Sequence, residues 1–252
     1  MEIVKQEVMV PTGNEKMPCH LARPASGGPY PALVVLIEAF GLNDHIRRMT
    51  ERFAAEGFVA IAPNLYFRFP DNVAAYDNLA GAFRLRELLV GAADSSVAAQ
   101  KYERVLTDVT AAINYLKGMK EVKPRIGTVG FCMGGTLAFF TACRNRDVAA
   151  TAPFYGGGMV TSRQEGVDPP IKYASGLKGP VLAFFGGKDA HIPVTDADKL
   201  RDELKKAGKQ AEVVLYADAD HGFMCEDRAS HHPAHAKEAF ARTVAFFKQN
   251  LT

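Results

Sequence analysis

The five residues Gly130-Phe131-Cys132-Met133-Gly134 constrain the fold more than any other stretch of the chain. They follow an apolar, β-rich run, Arg125-Ile126-Gly127-Thr128-Val129, and precede an apolar helical run, Gly135-Thr136-Leu137-Ala138-Phe139-Phe140. Strand, sharp glycine-bounded turn and helix form the context in which a Gly-x-nucleophile-x-Gly turn presents one side chain at the tip of a sheet. The central residue is held in a strained backbone conformation, and side chains at the flanking glycines would collide with the adjoining strand or helix. Here the presented group is a thiol, placed at a helix N-terminus.

The surrounding chain reads as the sheet that such a turn requires. Residues 3–10 and 17–23 read as short strands joined by Pro11-Thr12-Gly13-Asn14, an antiparallel hairpin on a sheet edge. Pro31–Ile37 is a continuous apolar run, as expected of a strand buried on both faces of a parallel sheet, and it ends in Glu38-Ala39-Phe40-Gly41. A helix over His45–Glu56 and a strand over Phe58–Pro63 follow. From residue 64 to about 96 the chain is mixed and weakly periodic, which predicts a cap-like excursion beside the site. Asp94 or Ser95 caps a helix that runs to about Gly118. Beyond the thiol turn come a strand over Val148–Tyr155, a loop over 159–179, a strand over Pro180–Phe185 and a helix over Asp196–Ala207. A strand over Ala211–Tyr216 and a helix from about Pro233 to Gln249 complete the chain. Alternation of this kind predicts a mostly parallel, doubly wound α/β sheet with right-handed crossovers.

At 252 residues, 48% of them hydrophobic, one α/β domain over 1–252 is the expectation. The net charge of +2 leaves no basic footprint for nucleic acid. The start, Met1-Glu2-Ile3-Val4-Lys5, interleaves charge with apolar residues and is not a signal segment, and runs such as Ala32–Ile37 are too short to span a bilayer. Four scattered cysteines without a C-x-x-C pair suggest a reduced, cytoplasmic setting and no zinc ribbon. No cofactor is expected. The chain is read as a monomer, with weak self-association as the alternative.

Three polar groups close three different strands in the order nucleophile, acid, histidine: Cys132, Asp189 and His221. That is the order of an α/β-hydrolase. Cys132 reacts as the thiolate, His221 moves the protons, and Asp189 fixes the His221 tautomer. The backbone N–H groups of Met133 and Ala39 are the candidate oxyanion donors. Cys19 and Cys143 read as interior packing. His231-His232-x-x-His235 has i, i+4 spacing but no Glu or Cys partner in a metal pattern, so it reads as a polar helix start, with metal: none.

Taken together, Glu38-Ala39-Phe40-Gly41, Gly130–Gly135, Gly187-Lys188-Asp189 and Asp220-His221-Gly222-Phe223 resemble the dienelactone hydrolase (carboxymethylenebutenolidase) family over essentially the whole chain. The resemblance implies an α/β-hydrolase fold and a cofactor-free hydrolase of lactones or activated esters. Dienelactone to maleylacetate, a step in the degradation of chlorinated aromatics, is the type reaction. Cys132, Asp189 and His221 would be its triad, and Glu38 would take the proton of the resting thiol when substrate enters. Arg68, in Tyr66-Phe67-Arg68, would bind a substrate carboxylate, with Tyr66, Phe40, Tyr155 and Cys225 lining the pocket. Four residues after the histidine, where well-known members carry a second arginine, this chain has Cys225. A non-catalytic small-molecule binder or a thiol redox sensor on the same fold is the competing reading. A serine peptidase or lipase is disfavoured by the thiol at the turn.

Overall fold

The computed structural model describes residues 1–251, which form a sheet of eight strands in the order β1-β2-β4-β3-β5-β6-β7-β8. Strands β1 (Ile3–Thr12) and β2 (Glu15–Pro24) form the expected hairpin, longer than its apolar cores suggest. Thr12 pairs with Glu15, so the turn needs only Gly13 and Asn14, and Gly13 supplies the left-handed conformation with φ +56°. Strand β2 pairs antiparallel with β4 (Val59–Pro63), whereas β3 (Tyr30–Leu36) pairs parallel with β4. An antiparallel edge pair on a mostly parallel sheet is the architecture that the strand and helix alternation predicted.

The chain gathers into two compact units. One comprises Met1–Ile126 with Gln164–Val167, and the other Gly127–Arg163 with Asp168–Thr252. The dividing line falls inside a single strand, β5 (Val122–Phe131).

In the first unit, every residue from Ala32 to Ile37 is fully buried. Helix α1 (Asp44–Ala55) turns Ile46, Met49 and Phe53 to the core, and the Asn43 side chain caps it by accepting from the Ile46 N–H at 3.2 Å. Helix α3 (Ser95–Lys117) starts at an Asp94 cap and ends at Gly118, as its sequence signals indicate. The excursion between β4 and α3 contains helix α2 (Leu79–Val90), for which the sequence carries no periodic signal. Its apolar residues point both ways: Leu85 and Leu89 are buried, whereas Leu79 and Phe83 are more than half exposed.

A polar knot ties the hairpin to α3. Arg68 holds Asp108 through two bonds, Nη1 to Oδ2 at 2.6 Å and Nη2 to Oδ1 at 3.0 Å, and its Nε donates to Glu15 at 2.6 Å. Thr12 adds a hydroxyl bond to Asp108 at 2.8 Å. The Asp108 carboxylate is buried (side chain 1% exposed) and would be costly without these donors. Asp108→Ala leaves the Arg68 guanidinium largely buried without its fork partner. We expect a loss of about 3 kcal/mol and a melting temperature lower by roughly 10 °C. A thermal scan in which the variant melts within 2 °C of wild type would show the knot to be energetically idle (about 1 kcal/mol or less).

In the second unit, helix α4 (Met133–Arg144) is buried at every residue but Arg144, so it is the central helix and not a surface one. Strands β6 (Val148–Phe154), β7 (Val181–Gly186) and β8 (Ala211–Tyr216) are parallel neighbours. Helices α5 (Val194–Lys206) and α6 (Pro233–Asn250) pack against them. The stretch 159–179, read from sequence as loop, contains a short 3₁₀ turn over Pro170–Gly176.

Candidate active site

The thiol turn in the second unit is built by exclusion of side chains. A Cβ on Gly130 would fall inside the van der Waals radius of the Gly134 carbonyl oxygen. A Cβ on Gly135 would collide with the carbonyl of Phe154 at the end of β6. Gly135 is thus a glycine that the tertiary packing demands, beyond the two that bound the turn. Cys132 sits between them at φ 55°, ψ −118°, a conformation rare for a residue with a side chain and costing about 1–3 kcal/mol. Its N–H is tied to the Phe154 carbonyl at 3.1 Å, and its own carbonyl accepts from Gly135 N–H at 3.0 Å. The sharp turn points the half-buried thiol away from the sheet and leaves the Met133 N–H to open helix α4.

The histidine and the acid come from the ends of the next strands. His221 follows β8 and Asp189 follows β7, and His221 Nδ1 lies 2.7 Å from Asp189 Oδ2. The other carboxylate oxygen of Asp189 accepts from the N–H groups of His191 at 2.8 Å and Ile192 at 3.1 Å. With both oxygens occupied, the carboxylate is fixed in orientation and in turn fixes the imidazole. The second nitrogen of His221 is left for Cys132, with which it shares a hydrogen bond. Burial pushes the His221 pKa down. The negative charge on Cys132, the hydrogen bonds to Asp189 and Cys132, and the Asp189 charge outweigh it and lift the pKa to about 10. The raised pKa favours the imidazolium form of His221 beside Cys132.

Tyr155 braces this arrangement. It is fully buried, its ring meets the His221 ring edge-on at 5.1 Å and that of Phe223 at 5.3 Å, and its backbone is left-handed with φ 37°. Its N–H donates to the Phe184 carbonyl at 2.7 Å, which holds the strained residue in place. Cys225 is also fully buried, in the turn that starts at Gly222.

The first unit carries the residues read from the end of β3. Glu38 is fully buried and its Oε2 accepts from the Tyr76 hydroxyl at 3.0 Å; the Tyr76 hydroxyl oxygen in turn accepts from Asn43 Nδ2 at 2.9 Å. Phe40 packs on the Tyr76 ring at 4.6 Å, and the Tyr66 hydroxyl donates to the Ala39 carbonyl at 3.1 Å. Tyr76 arrives from the excursion, whose residues 72–76 lie on the Glu38–Gly41 turn. Ala74 N–H donates to the Phe40 carbonyl at 3.0 Å, and Gly41, at φ 91°, bridges Val73 where a Cβ would strike the Asn72 carbonyl. Sequence reasoning missed Tyr76 because it sits in a stretch without periodicity, and only the backbone bridge brings it to Glu38.

Residues 17–251 match the model of the dienelactone hydrolase family. The chain belongs to this family. A relative from Synechocystis sp. with the provisional name carboxymethylenebutenolidase is 36% identical over 97% of this chain and 96% of its own length. One from Escherichia coli K12 with the same provisional name is 32% identical over 98% of this chain and 88% of its own length. A crystal structure from Klebsiella pneumoniae, provisionally described as a dienelactone hydrolase, superposes with a TM-score of 0.86 at 32% identity. It covers 99% of this chain and 100% of that one.

Arg68, the residue expected to bind a substrate carboxylate, is tied into the polar knot described above. Three of its nitrogens are engaged by Asp108 and Glu15, and the guanidinium stacks on the Phe67 ring at 4.1 Å. The histidine cluster is a helix start, as read. His232 Nδ1 accepts from His235 N–H at the head of α6, and Asp218 lies 2.6 Å from His235 Nε2 and 3.4 Å from His232 Nε2. These three side chains bring ligand atoms within 4.8 Å of one another. No helix among the described residues is long and apolar enough to cross a membrane.

Proposed function

We propose that this member of the dienelactone hydrolase family hydrolyses lactones or activated esters through a covalent thioester on Cys132. The observation that carries the reading is the hydrogen-bonded series Cys132, His221, Asp189 on a strained glycine-walled turn, with His221 raised to about 10. The imidazolium of His221 holds the thiolate for attack.

The thiolate sulfur bonds to the carbonyl carbon and the C=O π pair moves to oxygen. The N–H group of Met133, at the head of α4, receives that oxyanion. Its collapse breaks the bond to the leaving oxygen, which takes the proton of His221, giving an acyl-thioester and a neutral imidazole. His221 then removes a proton from water. The resulting hydroxide displaces the sulfur, and the acid leaves with Cys132 again a thiolate beside an imidazolium. A weakly basic leaving group such as an enolate suits a thiolate nucleophile.

Acid-quenched reaction with a 4-nitrophenyl ester tests this. Intact mass should show one acyl group, mapped by digestion to Cys132. The acylation rate should rise as the thiolate forms. It should hold through neutral pH because a raised pKa keeps His221 charged, and decline as pH passes about 10. Cys132 that alkylates readily while no ester is turned over would favour a binding or thiol-redox role instead.

A further inference from the structure

Asp218, His232 and His235 meet at the head of α6, in the second unit. Asp218 lies in the turn between β8 and His221, and the two histidines open the helix, His232 as its cap and His235 in its first turn. The sequence shows two imidazoles without an acid at metal-site spacing; the fold brings them a carboxylate from another turn. Its Oδ1 is 2.6 Å from His235 Nε2 and its Oδ2 is 3.4 Å from His232 Nε2. The rings are held for it. That of His235 stacks on the Tyr216 ring at 4.2 Å and on the His232 ring at 4.0 Å, and Tyr216 is itself buried at the end of β8.

Two imidazole nitrogens and a carboxylate oxygen suit Zn²⁺ and its first-row neighbours rather than Ca²⁺ or Mg²⁺, and a tetrahedral ion keeps its fourth position for water. Ligand atoms around such an ion lie roughly 3.3 Å apart. The His232–Asp218 pair already has that spacing, and the His235–Asp218 pair reaches it by rotation of an Asp218 side chain that is 59% exposed. The carboxylate charge also offsets the positive end of the helix, which alone disfavours a cation. Metal on Nε2 places each ring proton on Nδ1, so the long 3.4 Å bond from His235 N–H to His232 Nδ1 is exchanged for a coordinate bond.

We propose that Asp218, His232 and His235 bind a divalent transition-metal ion, Zn²⁺ foremost, which staples α6 to the turn carrying His221. The backbone next to these ligands reaches both sides of His221. Ala219, beside Asp218, accepts from the Lys188 N–H at 2.9 Å, and the Phe223 carbonyl accepts from the His232 N–H at 3.0 Å. The inference is independent of the esterase reading. A thiolate beside an imidazole also takes up zinc, so the test uses Cys132→Ala protein freed of metal by chelation. Calorimetric titration with ZnCl₂ should give one site per chain. Adding His235→Ala or His232→Asn should weaken it about tenfold or more; asparagine keeps a cap acceptor, so the second change spares the helix start. Zn²⁺ at about 100 times its Kd should raise the melting temperature by about 5 °C in the Cys132→Ala parent and by less than about 1 °C in either ligand variant. Absence of binding, an affinity that neither substitution weakens, or a parent whose melting temperature zinc does not raise would overturn the proposal.

Discussion

Cys132→Ala should abolish ester turnover, with kcat/KM lower by about 10³-fold or more, and leave the fold intact. Every step of the proposed cycle passes through the sulfur, and no neighbouring residue replaces it. The variant should also change His221 in a way that mere loss of a side chain would not. The charge on Cys132 is the largest of the influences that raise the imidazole, so removing it should bring the His221 pKa down from about 10, as read by NMR titration. Cys132→Gly should lose activity equally and gain stability of about 1 kcal/mol. Glycine adopts φ 55° without strain, so the turn would no longer hold an L-residue where L-residues are rare. A stable, inactive glycine variant would show that strain is kept at this turn for function. Retention of more than a tenth of wild-type activity in Cys132→Ala would sink the thioester mechanism.

Gly130→Ala should be the most damaging single-methyl change in the chain. The new Cβ meets the Gly134 carbonyl oxygen, which is backbone inside the first turn of a buried helix and cannot step aside. The clash leaves two outcomes, displacement of α4 or opening of the turn. We expect a cost above about 4 kcal/mol, and recovery of little soluble protein. Gly135→Ala should come close behind, because its Cβ meets the Phe154 carbonyl. By contrast, a Cβ on Gly208, which ends α5, meets nothing within 4 Å, so Gly208→Ala suffers only its φ of +65° and about 1 kcal/mol. Measured denaturation midpoints that placed Gly130→Ala alongside Gly208→Ala would show that the turn has slack the backbone does not reveal.

The contrast between Arg68 and Arg163 shows how far a motif carries. Arg68 stands in a segment whose residue types match a known pattern, and sequence offers no sign of Asp108, forty positions away, as its fork partner. Arg163 stands in a loop without periodicity. Its bond to the His191 carbonyl is a relation between loops rather than between neighbours in sequence. Tyr76 was hidden for the same reason. Capping chemistry was legible where it is local: Asp94 opens α3 and Gly118 closes it, because a cap is decided within four residues.

What the sequence determined by itself is therefore what short-range physics determines. The alternation of buried strands with helices, the thiol on its glycine-walled turn, and the chain order of Cys132, Asp189 and His221 follow from spacing and residue type. Only the tertiary structure decided which oxygen of Asp189 holds the imidazole, that the Cys132 charge lifts His221 to about 10, and that Arg68 is tied to Asp108. Those outcomes depend on hydrogen-bond geometry and on electrostatics in buried surroundings. Both are set by distances between residues far apart in sequence, and no local pattern encodes such distances.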